Sequence, residues 1–205
     1  MPKRLSRAFD FIALCLMAST AWFFAGCAFA VEVVGSSTQA KGRVLVAFST
    51  SKGSTGEVAE TIASEIRSAG WEAEAVNLND VHLPEEFNHV ILGGPVYYGK
   101  IREVKAFVEK YEEALRDRLT GAFAVGMAFA VDDEEQIAAG RKALDDSTAP
   151  LRPAHLGYFA GRIDPGKLSL LEKAAIKMVK SPVGDFRDWE ETRAWAREVV
   201  KSLDQ

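Results

Sequence analysis

The chain has 205 residues, 48% of them hydrophobic and 26% charged. That is the composition of one ordinary globular domain with an appendage, and it argues against wholesale disorder. The formal net charge of −4 argues against a nucleic-acid binder, which needs a basic balance or a basic stripe.

Lys3, Arg4 and Arg7 precede Phe11 to Val31, a run of twenty-one residues without a charge. A basic start followed by so long an apolar stretch predicts an export signal or a membrane anchor, since about 20 apolar residues span a bilayer. Its fate has three readings. Ala28 to Ala30, "AFA", has the small-x-small form of a signal-peptidase site; Phe24 to Cys27, "FAGC", has the form of a lipobox that would leave Cys27 lipidated; uncleaved, the segment is a single-span anchor. In each case the positive-inside rule predicts an exported domain at the cell envelope, on the outer side of the cytoplasmic membrane. Both cysteines, Cys15 and Cys27, fall in this segment, so the remainder holds no disulfide, thiolate metal site or cysteine nucleophile. The sequence divides into residues 1–30, the signal or anchor; 31–42, a Gly/Ser/Thr-rich linker; and 43–205, the domain.

Within the domain the elements follow a regular order. "RVLVAF" is a buried-strand run, and Val58, Ile62 and Ile66 with Ala59 and Ala63 give the next segment one apolar helical face that Gly70 ends. "WEAEAVNL" alternates as a half-buried strand, "HVILGG" is a short buried one, and the residues between them are too few for a helix. "REVKAFVEKYEEALRDRL" is a helix with Val104, Phe107, Val108, Tyr111 and Leu115 on one face. "GAFAVGMAFA" is a strand and its exit, "DDEEQIAAGRKALDD" a helix opened by a capping box of Asp132 and Glu135, and "AHLGYFAGRI" a fifth strand. "KLSLLEKAAIKMVK" and "DWEETRAWAREVVKSL" are closing helices, the second with a capping box of Asp188 and Glu191. Strands that alternate with helices predict an α/β fold, a parallel sheet with helices on both faces.

In such a sheet ligands bind at the carboxyl ends of the strands, and three segments fall there. The first, Ser49, Thr50, Ser51, Lys52, Gly53, Ser54 and Thr55, packs five hydroxyls and a glycine into a strand-to-helix loop. Unpaired N–H groups at a helix start carry the positive end of the helix dipole, so this loop suits a phosphate monoester. The alternative is capping, since Ser54 and Glu57 have capping-box spacing. The second segment, Pro95, Val96, Tyr97, Tyr98 and Gly99, offers flat aromatic surface to a planar ring. Gly94, Gly99 and Lys100 imitate a nucleotide-binding P-loop, but Ile101 stands where a magnesium-binding hydroxyl is required. The third segment is Gly126, Met127, Ala128 and Phe129.

A hydroxyl-rich loop after the first strand and an aromatic loop after the third, in this order of elements, resemble the flavodoxin family. The resemblance implies a flavodoxin-like, doubly wound five-stranded parallel sheet of order 2-1-3-4-5. It implies FMN as the cofactor, its phosphate in the first loop and its isoalloxazine between the later two. The family's phosphate pattern [S/T]-x-T-G-x-T falls on Thr50, Lys52, Gly53 and Thr55, with Lys52 in place of the usual threonine. "FSTSKGST", "GGPVYYGK", "GYFAGRI", an extra helix and the Asp188-Trp189 pair that opens the last helix are similar to the branch containing the menaquinone-dependent protoporphyrinogen dehydrogenases of bacteria. This similarity covers Gly42 to Gln205.

What it implies is an FMN-binding flavoprotein that carries out electron transfer or oxidoreduction, with a quinone or a redox protein as partner; the N-terminal segment adds the expectation that it works at the envelope. Protoporphyrinogen IX dehydrogenation in heme biosynthesis is one alternative, and a flavin-free binding module on the same fold is another. Flavin carries redox chemistry itself, so no catalytic side chain is assigned, and His82, His89 and His155 have no metal-ligand spacing. The helix "KLSLLEKAAIKMVK" is more than a minimal flavodoxin needs. Leu168, Leu171, Ala175, Met178 and Val179 form a stripe beside Lys167, Lys173, Lys177 and Lys180. Two readings stand: a basic amphipathic helix that meets a membrane surface or an electron partner, or a helix docked on the domain with a solvated basic face.

Overall fold

The computed structural model describes residues 41–178 and 181–204. The expected signal or anchor, the linker up to residue 40, and Val179 and Lys180 lie outside the described residues. Lys41 already belongs to the folded domain: its N–H donates to the Gly70 carbonyl at 3.2 Å and its ammonium pairs with Asp204 at 3.0 Å.

Five strands make the main sheet: β1 (Arg43–Phe48), β2 (Glu72–Asn77), β3 (His89–Pro95), β4 (Leu119–Gly126) and β5 (His155–Ala160). They are parallel throughout, in the order β2-β1-β3-β4-β5. That is the expected order, and it puts the switch point between β1 and β3. Five helices accompany them: α1 (Ser54–Ser68), α2 (Arg102–Leu115), α3 (Glu134–Thr148), α4 (Leu170–Met178) and α5 (Trp189–Leu203). Two 3₁₀ turns, Leu78–Asp80 and Pro84–Glu86, cross between β2 and β3, as the short connection requires.

Side-chain alternation along the strands builds two cores, one on each face. Val44 and Val46 of β1 share a cluster with Val58, Ile62 and Ile66 of α1 and with Ala196 and Val199 of α5. Leu45 and Ala47 turn the other way, into a cluster with Val104, Phe107 and Val108 of α2 and Leu144 of α3. All of these except Phe107 are at most 1% exposed. Full burial of each large aliphatic side chain contributes about 1.5–3 kcal/mol. On the α1/α5 face Phe123 is fully buried, its ring 6.1 Å from that of Phe159 and 6.2 Å from that of Trp195. Gly93 makes room for it: a Cβ there would stand 2.0 Å from Phe123 Cζ.

Three local expectations are corrected. The expected fifth strand breaks at Gly161. β5 ends at Ala160, and β6 (Arg162–Ile163) pairs antiparallel with β7 (Gly184–Asp185) in a separate small ribbon. The cap of α3 is Asp133, which accepts from the N–H groups of Glu135 and Gln136 at 3.1 Å each. Two adjacent aspartates, each followed three residues on by a Glu or Gln, left two registers open, and the chain takes the second. Ser54 does not cap α1. The cap position is Gly53, left-handed at φ 97°, and no side chain caps this helix. Asp188 does cap α5, accepting from Glu190 and Glu191 N–H at 2.9 and 3.0 Å.

Candidate functional site

The carboxyl edge of the sheet brings the three loops into contact. Ser49 N–H donates to Gly93 O at 2.9 Å, and Val96 N–H donates to Val125 O at 2.9 Å. The loops after β1, β3 and β4 therefore start as continuations of the sheet ladder. Gly94 is hemmed in by Ile101 and by Ser49 Oγ, which a Cβ would approach to 2.4 and 3.1 Å; a Cβ on Gly126 would lie 3.2 Å from Val96 Cβ. Small residues at these positions let the loops close on one another.

In the first loop Thr50 Oγ1 accepts from Gly53 N–H at 3.0 Å, which folds the chain back before α1. The left-handed conformation at Gly53 has no steric cost for glycine and turns the start of α1 toward the loop. Ser54, Thr55 and Gly56 occupy the first turn, where N–H groups have no intrahelical acceptor, and no side chain serves them. Ser49 is 7% exposed, and its Oγ is buried without a hydrogen-bond partner. A buried hydroxyl left unpaired costs about 1–3 kcal/mol, so a polar group arriving here finds a donor in place. Thr55 is 1% exposed and fixes the helix start against the sheet.

Lys52 turns away from a purely solvated state: its ammonium pairs with Glu172 of α4 at 3.0 Å. The Glu172 carboxyl is held down to about 2, first by the N–H of Ser169 and then by Lys52. The second loop is a tight hairpin in which Tyr97 and Lys100 exchange N–H···O bonds of 3.0 Å in both directions. Tyr98 and Gly99 sit at its tip with φ 50° and 66°, as a two-residue turn with two left-handed positions demands. Tyr97 is 46% exposed and Tyr98 89%, so both phenol rings are free to meet a ligand. The third loop is a 3₁₀ turn, Met127–Phe129. Phe129 points inward: its ring packs at 5.6 Å from Tyr158, and a Cβ on Gly140 would come within 2.7 Å of it. In this loop Phe129 offers its backbone to a ligand, while its ring serves the α3 side of the core.

Sequence reasoning missed the ion cluster beside the first loop. Glu57, in the first turn of α1, bonds Arg162 of β6 at 2.8 Å and Arg187 at 2.7 Å. Arg187 also bonds Asp185 of β7 at 2.8 Å through Nε and stacks over Trp189 at 4.4 Å, with its side chain only 4% exposed. Glu57 lies more than a hundred residues from both arginines in sequence, and the segment "GDFRDW" betrays only the helix cap. A cavity of about 650 Å³ opens next to this cluster, lined by Phe48, Thr50, Gly53, Gly56, Glu60 and Trp189. No residue of the second or third loop lines it, so it adjoins the first loop on the α1/α5 side.

Arg187 holds the Glu57 and Asp185 carboxyls below their usual range, with burial acting against it in both. A carboxyl held low in the folded state stabilises it at neutral pH, and the contribution is lost as pH falls through the folded value. Arg187→Ala is expected to cost about 1–2 kcal/mol, less than a buried pair, because both carboxylates are half exposed to water. It should also flatten the loss of stability between about pH 5 and 3. Urea unfolding midpoints against pH check this; an acid limb as steep as in the wild type would assign it to other carboxylates.

The flavodoxin domain family matches residues 45–189. Among curated proteins, the chain is 24% identical over 178 residues to the protoporphyrinogen IX dehydrogenase [quinone] of Escherichia coli strain K12. That match covers 80% of this chain and 97% of the relative. Among solved structures, oxidised Flavodoxin 1 of Bacillus cereus is 16% identical with a TM-score of 0.50, over 78% of this chain and 97% of that one. The flavodoxin of Streptococcus pneumonia TIGR4 is 15% identical with a TM-score of 0.50, over 78% and 99%.

Proposed function

The chain belongs to the flavodoxin domain family, and from that premise we propose that it is an FMN-dependent oxidoreductase that exchanges electrons with a quinone or a redox protein at the cell envelope. One observation carries the cofactor assignment: the buried, unpartnered Ser49 Oγ beside an α1 start that no side chain caps. Unpaired donors gathered at one point suit a phosphate monoester, and FMN carries one.

In this reading the hydroxyls of Ser49, Thr50, Ser54 and Thr55 and the first-turn N–H groups of α1 bind the phosphate. Gly53 keeps the backbone close to it. Tyr97 and Tyr98 flank the planar ring, and the Gly126–Phe129 backbone supplies polar contacts at its edge. FMN, when bound, supplies the acceptance and release of electrons and protons. The protein's part is to orient that group, limit its exposure to water and set its electrostatics. The envelope location rests on the uncharged run from Phe11 to Val31.

The quinone-linked relative favours a narrower second reading, oxidation of protoporphyrinogen IX with a quinone acceptor. Natively purified protein is expected to be yellow with flavin absorption. FMN added to the apoprotein at a hundredfold its Kd should stabilise it by about 2.7 kcal/mol. A colourless protein whose melting is unmoved by FMN would instead be a flavin-free binding module. Turnover of protoporphyrinogen with a quinone selects the narrower reading; its absence from a yellow protein leaves electron transfer to another partner.

A further inference from the structure

α4 presents its amphipathic faces the wrong way round for a helix docked on a domain. Leu170 and Leu171 are each 84% exposed and Met178 is 82% exposed, and none of the nine residues of the helix is buried. At about 100° per residue, Leu170, Ala174, Met178 and Leu171 share one sector. Glu172 lies on the far side and reaches inward to Lys52 of the first loop. Of the expected stripe, Leu171 and Met178 lie on this outward apolar face, whereas Leu168 precedes the helix, Ala175 is half-buried, and Val179 lies outside the described residues. Lys173 and Lys177, both exposed, border this face along one edge, and the only acid of the helix is turned inward and paired.

We propose that α4 lies in the plane of an anionic phospholipid bilayer and seats the domain on it. Three further features favour this occupant. An exposed apolar face edged by lysines complements acyl chains beneath anionic headgroups. At the basic edge a cavity of about 430 Å³ is lined by Leu168, Ile176 and Val183 together with Lys173 and Lys177; apolar walls beside two cationic residues suit one anionic amphiphile. The sequence run from Phe11 to Val31, read as a membrane segment, keeps the bilayer at high effective concentration around the domain. Nine residues are far too few to cross a bilayer, so the helix rests on the surface. Its functional consequence rests on the flavin reading above: Lys52 ties α4 to the first loop, so docking brings the candidate flavin edge to the phase in which quinones dissolve.

The domain alone is the proper test object. Both cores lie within residues 44–203, and a relative whose length is 97% matched by 80% of this chain consists of little else. A fragment from Lys41 to Gln205 should co-sediment with phosphatidylglycerol-phosphatidylethanolamine vesicles at least tenfold more tightly than with phosphatidylcholine vesicles, and less so as salt rises. The double variant L170D/L171D should lose at least tenfold of this binding. The variant K173E/K177E should lose as much on anionic vesicles and little on neutral ones. These side chains face water, so circular dichroism and FMN content should stay unchanged. Wild-type fragment that ignores anionic vesicles overturns the proposal, as does equal binding by L170D/L171D. A self-association lost in L170D/L171D, with no vesicle binding, overturns it in favour of a second copy. A colourless fragment that still binds vesicles would sink the flavin reading and leave this one standing; a yellow fragment that does not bind would do the reverse.

Discussion

Thr50→Asp is expected to weaken FMN binding by at least about 100-fold, which is about 2.7 kcal/mol, while the domain stays folded. Thr50 Oγ1 accepts from Gly53 N–H at 3.0 Å, and an aspartate oxygen is an acceptor of similar reach, so the loop keeps its internal bond. What changes is charge. A phosphate monoester carries about −1.5 to −2 at neutral pH, and a like charge some 4 Å away costs about 4 kcal/mol at the effective dielectric of a protein surface. Thr50→Ser keeps the hydroxyl and the neutrality, and should stay within a few-fold of the wild type. Fluorescence titration of apoprotein with FMN reads both. If T50D binds within threefold of the wild type, the phosphate is held elsewhere.

Phe123→Ala is the largest stability loss to be expected, about 3–5 kcal/mol. The ring is fully buried between Phe159 and Trp195 over the glycine at position 93, and rings this well boxed in leave a cavity that neighbours cannot close. Gly93→Ala fails for the opposite reason: its new methyl would stand 2.0 Å from Phe123 Cζ, and overpacking of this kind costs about 1–3 kcal/mol or more. The two defects share one space. In the F123A background the Gly93→Ala methyl has room, so the double variant should be more stable than the sum of the single losses by about 1 kcal/mol or more. Denaturant unfolding of the four proteins gives the coupling; strict additivity would mean that Gly93 does not make the space for this ring.

The sheet was legible because its inner strands are runs of residues that bury on both faces, its edge strand β2 alternates, and a helix follows most of them. "RVLVAF" sends Val44 and Val46 one way and Leu45 and Ala47 the other, and β3 and β4 do the same, with Ile91, Phe123 and Val125 on one face and Val90, Leu92, Ala122 and Ala124 on the other. The first loop was legible as a candidate because its hydroxyls are contiguous. Its details were not. Ser54 and Glu57 have the spacing of a cap, yet Glu57 is drawn off by Arg162 and Arg187, charges supplied from more than a hundred residues away. Phe129 reads as a loop residue facing a ligand, yet the missing side chain at Gly140 gives its ring a place inside.

By itself, then, the sequence determined the alternation of strands and helices, the strand ends at which a site can form, and the apolar N-terminal run. These are local properties, written in periodicity and composition along neighbouring residues. Only the tertiary structure decided that Lys52 reaches across to Glu172, that Arg187 locks the small β6-β7 ribbon onto α1, and which way α4 faces. A helical stripe states that one side is apolar, while whether that side meets a core or the outside depends on which elements the fold brings beneath it.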